Sequence, residues 1–187
     1  MKKLLTFLFV IIPTLVWAQL TTINPDTVCY QLGGSIYEVT PTAGLIYTWT
    51  VTPPGIITGG QGTNQIQVDW SNANPGLIPG AVQVQASNNI GCLSPIVTLD
   101  VFIYNVTLNL TPVADMCEYA NCVPLQATPA GGTWSGNGVI NSDFCPTTSG
   151  AGTFNLIYTY TDAGCVFTNI MQVDVLPQPL LLPIEHN

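Results

Sequence analysis

Basic side chains are almost absent from this chain. Of its 187 residues only two are Lys or Arg, and both, Lys2 and Lys3, stand at the N-terminus. Ten residues are Asp or Glu, and the formal net charge is −8. Because phosphates are bound by cationic side chains, nucleic acid and anionic lipid headgroups are very poor partners, and phosphoryl transfer is not expected.

Residues typical of active sites and metal sites are equally scarce. The only His is His186, one residue from the C-terminus, and the carboxylates are scattered without a short repeated spacing. An active site needs an acid, a base or a nucleophile in one cleft, and a calcium loop needs closely spaced carboxylates. We therefore expect no enzyme activity, no catalytic residues, no cofactor and no metal.

The one long apolar run lies at the start of the chain. Residues 1–18 combine Lys2 and Lys3 with an apolar stretch from Leu4 to Val16 and a small residue at Ala18, which is typical of a secretory signal peptide. No second run approaches the roughly 20 residues that a membrane helix needs. The sequence predicts export to the periplasm, the outer-membrane surface or the medium, with no membrane span in the mature chain.

An internal repeat organises the remainder. Residues 81–92 read AVQVQASNNIGC and residues 154–165 read FNLIYTYTDAGC, so each alternates, breaks at a polar turn and ends on Gly-Cys. Each half also places a Cys, a Pro-Gly turn and a Trp before that segment. The repeat predicts two domains, at 20–103 and 104–177, followed by a proline-rich tail at 178–187.

The local pattern within each domain is that of β-strands. Apolar and polar residues alternate in YTWTV (47–51) and QIQVDW (65–70), and turn signals such as PPG and NPG separate the runs. Short strands in units of this size predict two tandem antiparallel β-sandwiches, an all-β fold. The stretch PAGGTWSGNGV, residues 129–139, is interpreted as a turn around a core Trp rather than a phosphate-binding loop, since no Lys accompanies it.

Six cysteines in an exported chain predict disulfides rather than zinc, because no second Cys pair or His group completes a metal site. The repeat aligns the first and last cysteine of each half, which predicts Cys29–Cys92 and Cys117–Cys165. Cys122–Cys145 then remains as a bridge of the second domain. Six cysteines allow 15 connectivities, and the repeat is the only reason for choosing this one.

These motifs resemble a known family. The first domain, with YTWTVTPPG, GQGTNQIQVDW and NNIGC, resembles the PKD-like domains of exported Bacteroidetes proteins. The second, with PAGGTWSGNGV and AGTFNLIYTYTDAGC, is similar to the immunoglobulin-like repeats of the same cell-surface proteins. The resemblance implies export, surface display, tandem β-sandwiches and association with type IX secretion and gliding machinery, without catalytic residues.

Two further features concern modification and docking. Asp26-Thr27-Val28 is similar to the O-glycosylation acceptor of those bacteria, which makes Thr27 a candidate. The tail, extended by prolines, is either a frayed end or a segment that docks into a partner's groove. Its candidate docking residues are Leu180, Leu181, Leu182, Pro183, Ile184 and His186.

Charged residues form only 6% of the chain against 47% hydrophobic residues, so much of the surface is uncharged. Such a surface favours a lasting protein partner. We expect a non-catalytic interaction protein or scaffold, an accessory or structural subunit of a bacterial cell-surface assembly that binds envelope or cell-surface proteins. The alternative is an adhesin module in which Tyr30, Trp70 and Tyr119 stack on surface glycans.

Overall fold

The computed structural model describes residues 20–21, 25–31 and 33–182. The predicted signal peptide lies outside these residues, as do Pro183, Ile184 and His186 of the tail. The chain divides into two compact units between Ile103 and Tyr104. Both units are built from β-strands, and the described part of the chain contains no helix long and apolar enough to cross a membrane.

The first unit consists of two sheets that face each other across one core. One sheet has the order β1-β8-β7-β4, with β2 also paired to β8, and the other has the order β3-β6-β5. The strands are β1 (Leu20–Thr21), β2 (Asp26–Cys29), β3 (Ser35–Glu38), β4 (Ile46–Val51), β5 (Ile56–Gly59), β6 (Gln65–Asp69), β7 (Gly76–Ser87) and β8 (Val97–Tyr104).

Alternation along β4 and β6 produces the core of this unit, as the sequence predicted. Tyr47 and Trp49 point inward from β4, while Thr48 and Thr50 are exposed. Ile66 and Val68 do the same from β6. Successive side chains of a strand point to opposite faces, so this pattern buries one face of each sheet.

The second unit has a larger sheet, β10-β17-β16-β13, and two smaller ones, β11-β15-β14 and β12-β9. Its core contains Phe144, Leu156 and Val173, each at most 1% exposed. The elements are β9 (Asn109–Leu110), β10 (Met116–Cys117), β11 (Val123–Pro124), β12 (Ala127–Thr128), β13 (Thr133–Ser135), β14 (Val139–Ile140), β15 (Asp143–Phe144), α1 (Pro146–Ser149), β16 (Gly152–Asp162) and β17 (Cys165–Leu176).

The architecture confirms the predicted all-β fold of tandem β-sandwiches, with one difference in strand direction. β1 runs parallel to β8 and β10 runs parallel to β17, whereas the sequence predicted antiparallel pairing throughout. Both are two-residue strands at a sheet edge. Alternation within a strand shows which face is buried but not the direction of the neighbouring strand, so this feature was not accessible from the pattern.

The cysteines follow the prediction at one bridge only. Cys122 and Cys145 form a disulfide with an S–S distance of 2.04 Å. Cys92 and Cys117 carry free, exposed thiols, so the predicted pairs Cys29–Cys92 and Cys117–Cys165 are wrong. Cys29 and Cys165 do not carry free thiols.

The repeat misled because its aligned cysteines occupy different environments. Cys165 is the buried first residue of β17, whereas Cys92 lies exposed in the loop after β7. A disulfide requires close Cβ atoms in a particular orientation. Equivalent positions in two aligned sequences do not provide that geometry when one lies in a strand and the other in a loop.

Candidate functional site

The glycine-rich stretch of the second unit is a turn organised by Tyr158. The hydroxyl of Tyr158 donates a hydrogen bond to the carbonyl of Pro129 and accepts one from the N–H of Gly132, both at 2.7 Å. The Trp134 ring packs against the Tyr158 ring with centroids 5.0 Å apart. The stretch thus forms a turn, as the sequence predicted, but Trp134 is half-buried at the edge of the core and pairs with Tyr158.

Gly132 is required at this point by space. A Cβ on Gly132 would lie 2.7 Å from the Tyr158 hydroxyl oxygen and would clash with the Thr159 carbonyl oxygen. Contacts this short do not occur between real Cβ atoms and backbone, so any side chain here would displace the turn. The glycine brings the turn close enough for the tyrosine to hold it.

An open groove of about 410 Å³ lies beside this turn. Trp134 and Tyr158 contribute aromatic surface, and the side chains of Thr111, Gln126, Thr128 and Ser142 contribute polar groups. No Asp, Glu, Lys, Arg or His lines it. The groove therefore combines aromatic and neutral polar groups without a formal charge.

Two backbone hydrogen bonds fix the walls of the groove. The N–H of Thr111 donates to the carbonyl of Gln126 at 3.0 Å, and the N–H of Leu125 donates to the carbonyl of Ser142 at 2.9 Å. Leu125 is buried beneath these segments. The Gln126 and Thr128 side chains are exposed and form no hydrogen bond with another described residue.

The tryptophans differ in how their indole N–H groups are used. Trp49 donates to the carbonyl of Thr63 at 2.8 Å, and Trp70 donates to the hydroxyl of Tyr37 at 3.0 Å. Trp134 has no such acceptor among the residues that the structure describes. Every fully buried side-chain polar atom in that part of the chain has a partner, so the Trp134 N–H is open to solvent.

A second candidate surface is the outer edge of β17. Its neighbour β10 pairs only with Val175 and Leu176, where the carbonyl of Leu176 accepts the Glu118 N–H at 3.0 Å. Backbone groups of alternate residues point to the same edge of a strand. Those of Val166, Thr168, Ile170, Gln172 and Asp174 therefore face this edge, along which the described residues supply no further strand.

Only side-chain hydrogen bonds occupy the middle of this edge. The amide nitrogen of Asn169 donates to the carbonyl of Leu108 at 2.9 Å, and its oxygen accepts the Ile170 N–H at 2.8 Å. On the adjacent outer face, Ile157 and Ile170 are cross-strand partners, 36% and 60% exposed. The edge thus borders an exposed apolar pair, and Asp174 is the one charged residue among the five whose backbone faces it.

β17 leads directly into the tail. Leu180, Leu181 and Leu182 are exposed by 86%, 90% and 79%. Three consecutive leucines in water are the largest exposed apolar feature of the tail that the structure describes. Their predicted docking role stays a prediction, as does that of Pro183, Ile184 and His186.

The residues predicted to stack on glycans do not form such a site. Trp70 is 1% exposed, so its predicted stacking role is wrong: its ring packs in the core of the first unit. Tyr30 is half-buried against the same core. Tyr119 is 68% exposed, but it belongs to the second unit.

Thr27 and its neighbours occupy β2. The Thr27 side chain is exposed, whereas Val28 is buried, so the hydroxyl is on the accessible face of the strand. Asp26 accepts a hydrogen bond from the Tyr37 hydroxyl at 3.0 Å. Burial, and then the nearby Asp26 carboxylate, raise the pKa of Tyr37 well above its ordinary value. Glycosylation of Thr27 stays a prediction.

The described residues contain no group of three or more His, Cys, Asp or Glu side chains that could hold a metal ion. Potential ligands are therefore dispersed over this part of the chain. The described residues bring polar groups together instead in the neutral groove and along the outer edge of β17.

Comparison with solved structures gives similarities of low identity. An I-band fragment of titin is 13% identical, with 82% of this chain and 64% of that chain covered and a TM-score of 0.31. An endo-fucoidan hydrolase of glycoside hydrolase family 107 is 13% identical, with 83% and 28% covered and a TM-score of 0.31. A chimeric titin fragment carrying a decorin peptide is 13% identical, with 86% and 96% covered and a TM-score of 0.32.

This chain thus spans less than two thirds of the first two of these structures. No curated protein matches it. The family comparison is specific to the first half of the chain, where the sequence carries YTWTVTPPG and GQGTNQIQVDW. Residues 17–101, which include nearly all of the described first unit, match the model of the PKD-like domain family.

Proposed function

We propose that this chain is an exported, non-catalytic interaction protein that docks onto an envelope or cell-surface protein through the outer edge of β17 and the tail that follows it. PKD-like and immunoglobulin-like domains commonly serve as non-catalytic interaction modules. The observation that carries the proposal is that β17 has an edge without a partner strand before Val175, where β10 pairs, and leads directly into three exposed leucines.

The edge offers hydrogen bonds to a partner strand. Natural proteins protect such edges with lysines, prolines or covering segments, because an unpaired edge pairs with other strands. This chain has no Lys after Lys3, and β17 contains no Pro. A partner strand laid along Thr168 to Asp174 would gain main-chain hydrogen bonds and would cover the exposed Ile170.

The tail offers apolar contacts of a different kind. Pro177 and Pro179 favour an extended backbone, which presents the leucines without a costly loss of conformational freedom on binding. Burial of a leucine side chain contributes about 1.5–3 kcal/mol. A groove that takes Leu180, Leu181 and Leu182 would therefore bind the tail while the edge sets its orientation.

The proposed setting is a bacterial cell-surface assembly, of the type IX secretion or gliding class. The PKD-like match of residues 17–101 and the Cys122–Cys145 disulfide support an exported protein, since disulfides persist in oxidising compartments. The resemblance of both repeats to Bacteroidetes surface proteins supports the assembly. Glycosylation of the exposed Thr27 is part of this proposal. Mass spectrometry of the exported chain would detect it as an added mass on the peptide that contains Thr27.

The test is a crosslinking pull-down from native membranes with three versions of the full chain. One lacks Leu180 to Asn187, one carries Ile170→Lys on the β17 edge, and the control carries Ile90→Lys in an exposed loop. Both altered surfaces should lose the same envelope proteins, whereas the control should retain them. Undiminished recovery of partners with either altered surface would contradict the proposal.

A further inference from the structure

We propose that the groove beside Trp134 is a binding site for a neutral saccharide. It lies in the second unit, and its lining residues are distinct from the β17 edge and from the tail. None of the aromatic residues that the sequence suggested for glycan stacking belongs to it.

The size and surface of the groove fit a short stretch of sugar. Sites for small molecules commonly enclose about 300–1,000 Å³ and combine apolar or aromatic surface with a few polar groups that fix orientation. This groove encloses about 410 Å³ and is lined by the Trp134 indole and the Tyr158 ring. Sugar rings present C–H faces to aromatic surface and hydroxyl groups to polar side chains.

The polar groups without a partner are of the kinds that hydrogen-bond to sugar hydroxyls. The Gln126 amide both donates and accepts hydrogen bonds, the Thr128 hydroxyl does the same, and the Trp134 N–H donates. None of these three groups bonds to another residue in the described part of the protein. In contrast, the Tyr158 hydroxyl is already hydrogen-bonded to the Pro129 carbonyl and the Gly132 N–H. Tyr158 therefore shapes the groove and offers its ring, not its hydroxyl, to the ligand.

The charge of the chain selects a neutral ligand. The groove has no cationic side chain, and residues 4–187 contain no Lys or Arg but all ten carboxylates. Anionic polysaccharides would approach a negative surface without a counterion in the site, which disfavours association. A saccharide without carboxylate or sulfate groups meets no such penalty.

The walls are held before a ligand arrives. The Gly132 turn is fixed by Tyr158, and the two opposite walls are fixed by the hydrogen bonds that join Thr111 to Gln126 and Leu125 to Ser142. A site that is already ordered loses less conformational freedom on binding. This preorganisation distinguishes the groove from the exposed tyrosines of the surface.

The experiment is a titration of the ¹⁵N-labelled full chain, read from its indole N–H signals. Trp134→Phe assigns the Trp134 signal. Short neutral oligosaccharides derived from β-glucan, xylan and chitin are the probes, with oligogalacturonate and dextran sulfate as anionic probes. At least one neutral probe should shift the Trp134 signal in a saturable way, while the Trp49 and Trp70 signals stay in place because their N–H groups are internally bonded.

Substitutions at two exposed residues, Gln126 and Gln172, test the groove without disturbing the core. Gln126→Ala should weaken the neutral probe about threefold to tenfold, the loss that corresponds to one net hydrogen bond. Gln172→Ala, on the outer face of β17, is the matched control and should leave the affinity unchanged. Ile170→Lys, which disrupts the proposed strand-edge interface, should also leave the affinity for the neutral probe unchanged. The strand-edge proposal and the saccharide proposal can therefore fail independently of each other.

Three results would overturn the saccharide assignment. One is the absence of any saturable shift with the neutral probes. Another is an equal response to the anionic probes. The third is a shift of the Trp134 signal by a peptide copied from residues 176–182 with none by sugars, which would make the groove a peptide site.

Discussion

The indole N–H of Trp70 donates a hydrogen bond of 3.0 Å to the hydroxyl of Tyr37 in the core of the first unit. The same hydroxyl donates to Asp26 at 3.0 Å, so it joins the sheet of β3 to β2 of the other sheet. Gly55 packs against the Trp70 ring, and a Cβ added to Gly55 would clash with that ring. Trp70 is therefore a structural residue: its ring packs against Gly55, and its indole N–H is hydrogen-bonded to Tyr37.

Replacing Tyr37 by Phe should destabilise the first unit. The change leaves the buried Trp70 N–H without an acceptor, which costs about 1–3 kcal/mol of unfolding free energy. Urea denaturation followed by tryptophan fluorescence measures the effect. Tyr119→Phe is the control, because Tyr119 is exposed, and should change the free energy by less than about 0.5 kcal/mol. An equal effect of the two changes would contradict the structural role of this bond.

The same tyrosine makes stability depend on alkaline pH. Burial raises the pKa of Tyr37 in the folded state, whereas in the unfolded chain it titrates near its ordinary value of about 10. The unfolded state therefore loses this proton first, and the stabilisation is complete below pH of about 10 and declines as the pH rises above it.

Tyr37→Phe should flatten that alkaline decline in the free energy of unfolding. Denaturation curves at a series of pH values from neutral to strongly alkaline provide the measurement. Tyr104 is half-buried, and its hydrogen bond to Asp162 raises its pKa; it remains in the variant and leaves a residual slope. An unchanged pH profile in the variant would assign the decline to other groups.

The Cys122–Cys145 disulfide should contribute measurably to the second unit. It closes a loop with a sequence separation of 23, for which the loss of unfolded-chain entropy corresponds to about 3 kcal/mol. The double change of Cys122→Ser and Cys145→Ser should lower the free energy of unfolding by roughly that amount. The single change Cys92→Ser, at an exposed free thiol, should have little effect. Equal stability of the two proteins would show that the bridge adds nothing.

The alternation of apolar and polar residues along the strands predicted most of the core. It placed Tyr47, Trp49, Ile66 and Val68 in the core because a strand has only two faces, and one of them is buried here. The same alternation places Trp70 on the inward side. The predicted glycan-stacking role of Trp70 conflicted with this alternation, and it is wrong because the ring is buried. Predictions that rested on a strand's own residues succeeded.

Predictions of disulfides between distant segments succeeded only at Cys122–Cys145. Disulfide pairing depends on distances that the repeat could not supply, and Cys92 and Cys117 remain unpaired. The groove was missed because its lining comes from four separate segments between Thr111 and Tyr158. The only local signal for it was the Trp inside the glycine-rich stretch, which correctly indicated a turn and gave no indication of the space beside it.

Gly132→Ala should disturb the turn that shapes the groove. The new methyl group would meet the Tyr158 hydroxyl and the Thr159 carbonyl, so either the hydrogen bonds of Tyr158 or the strand pairing of β13 must shift. Overpacking of this kind costs about 1–3 kcal/mol. Gly59→Ala is the matched control, because nothing lies within 4 Å of the Cβ position there. If Gly132→Ala retained full stability and an unshifted Trp134 indole signal, the close approach of turn and tyrosine would not be what holds the groove in shape.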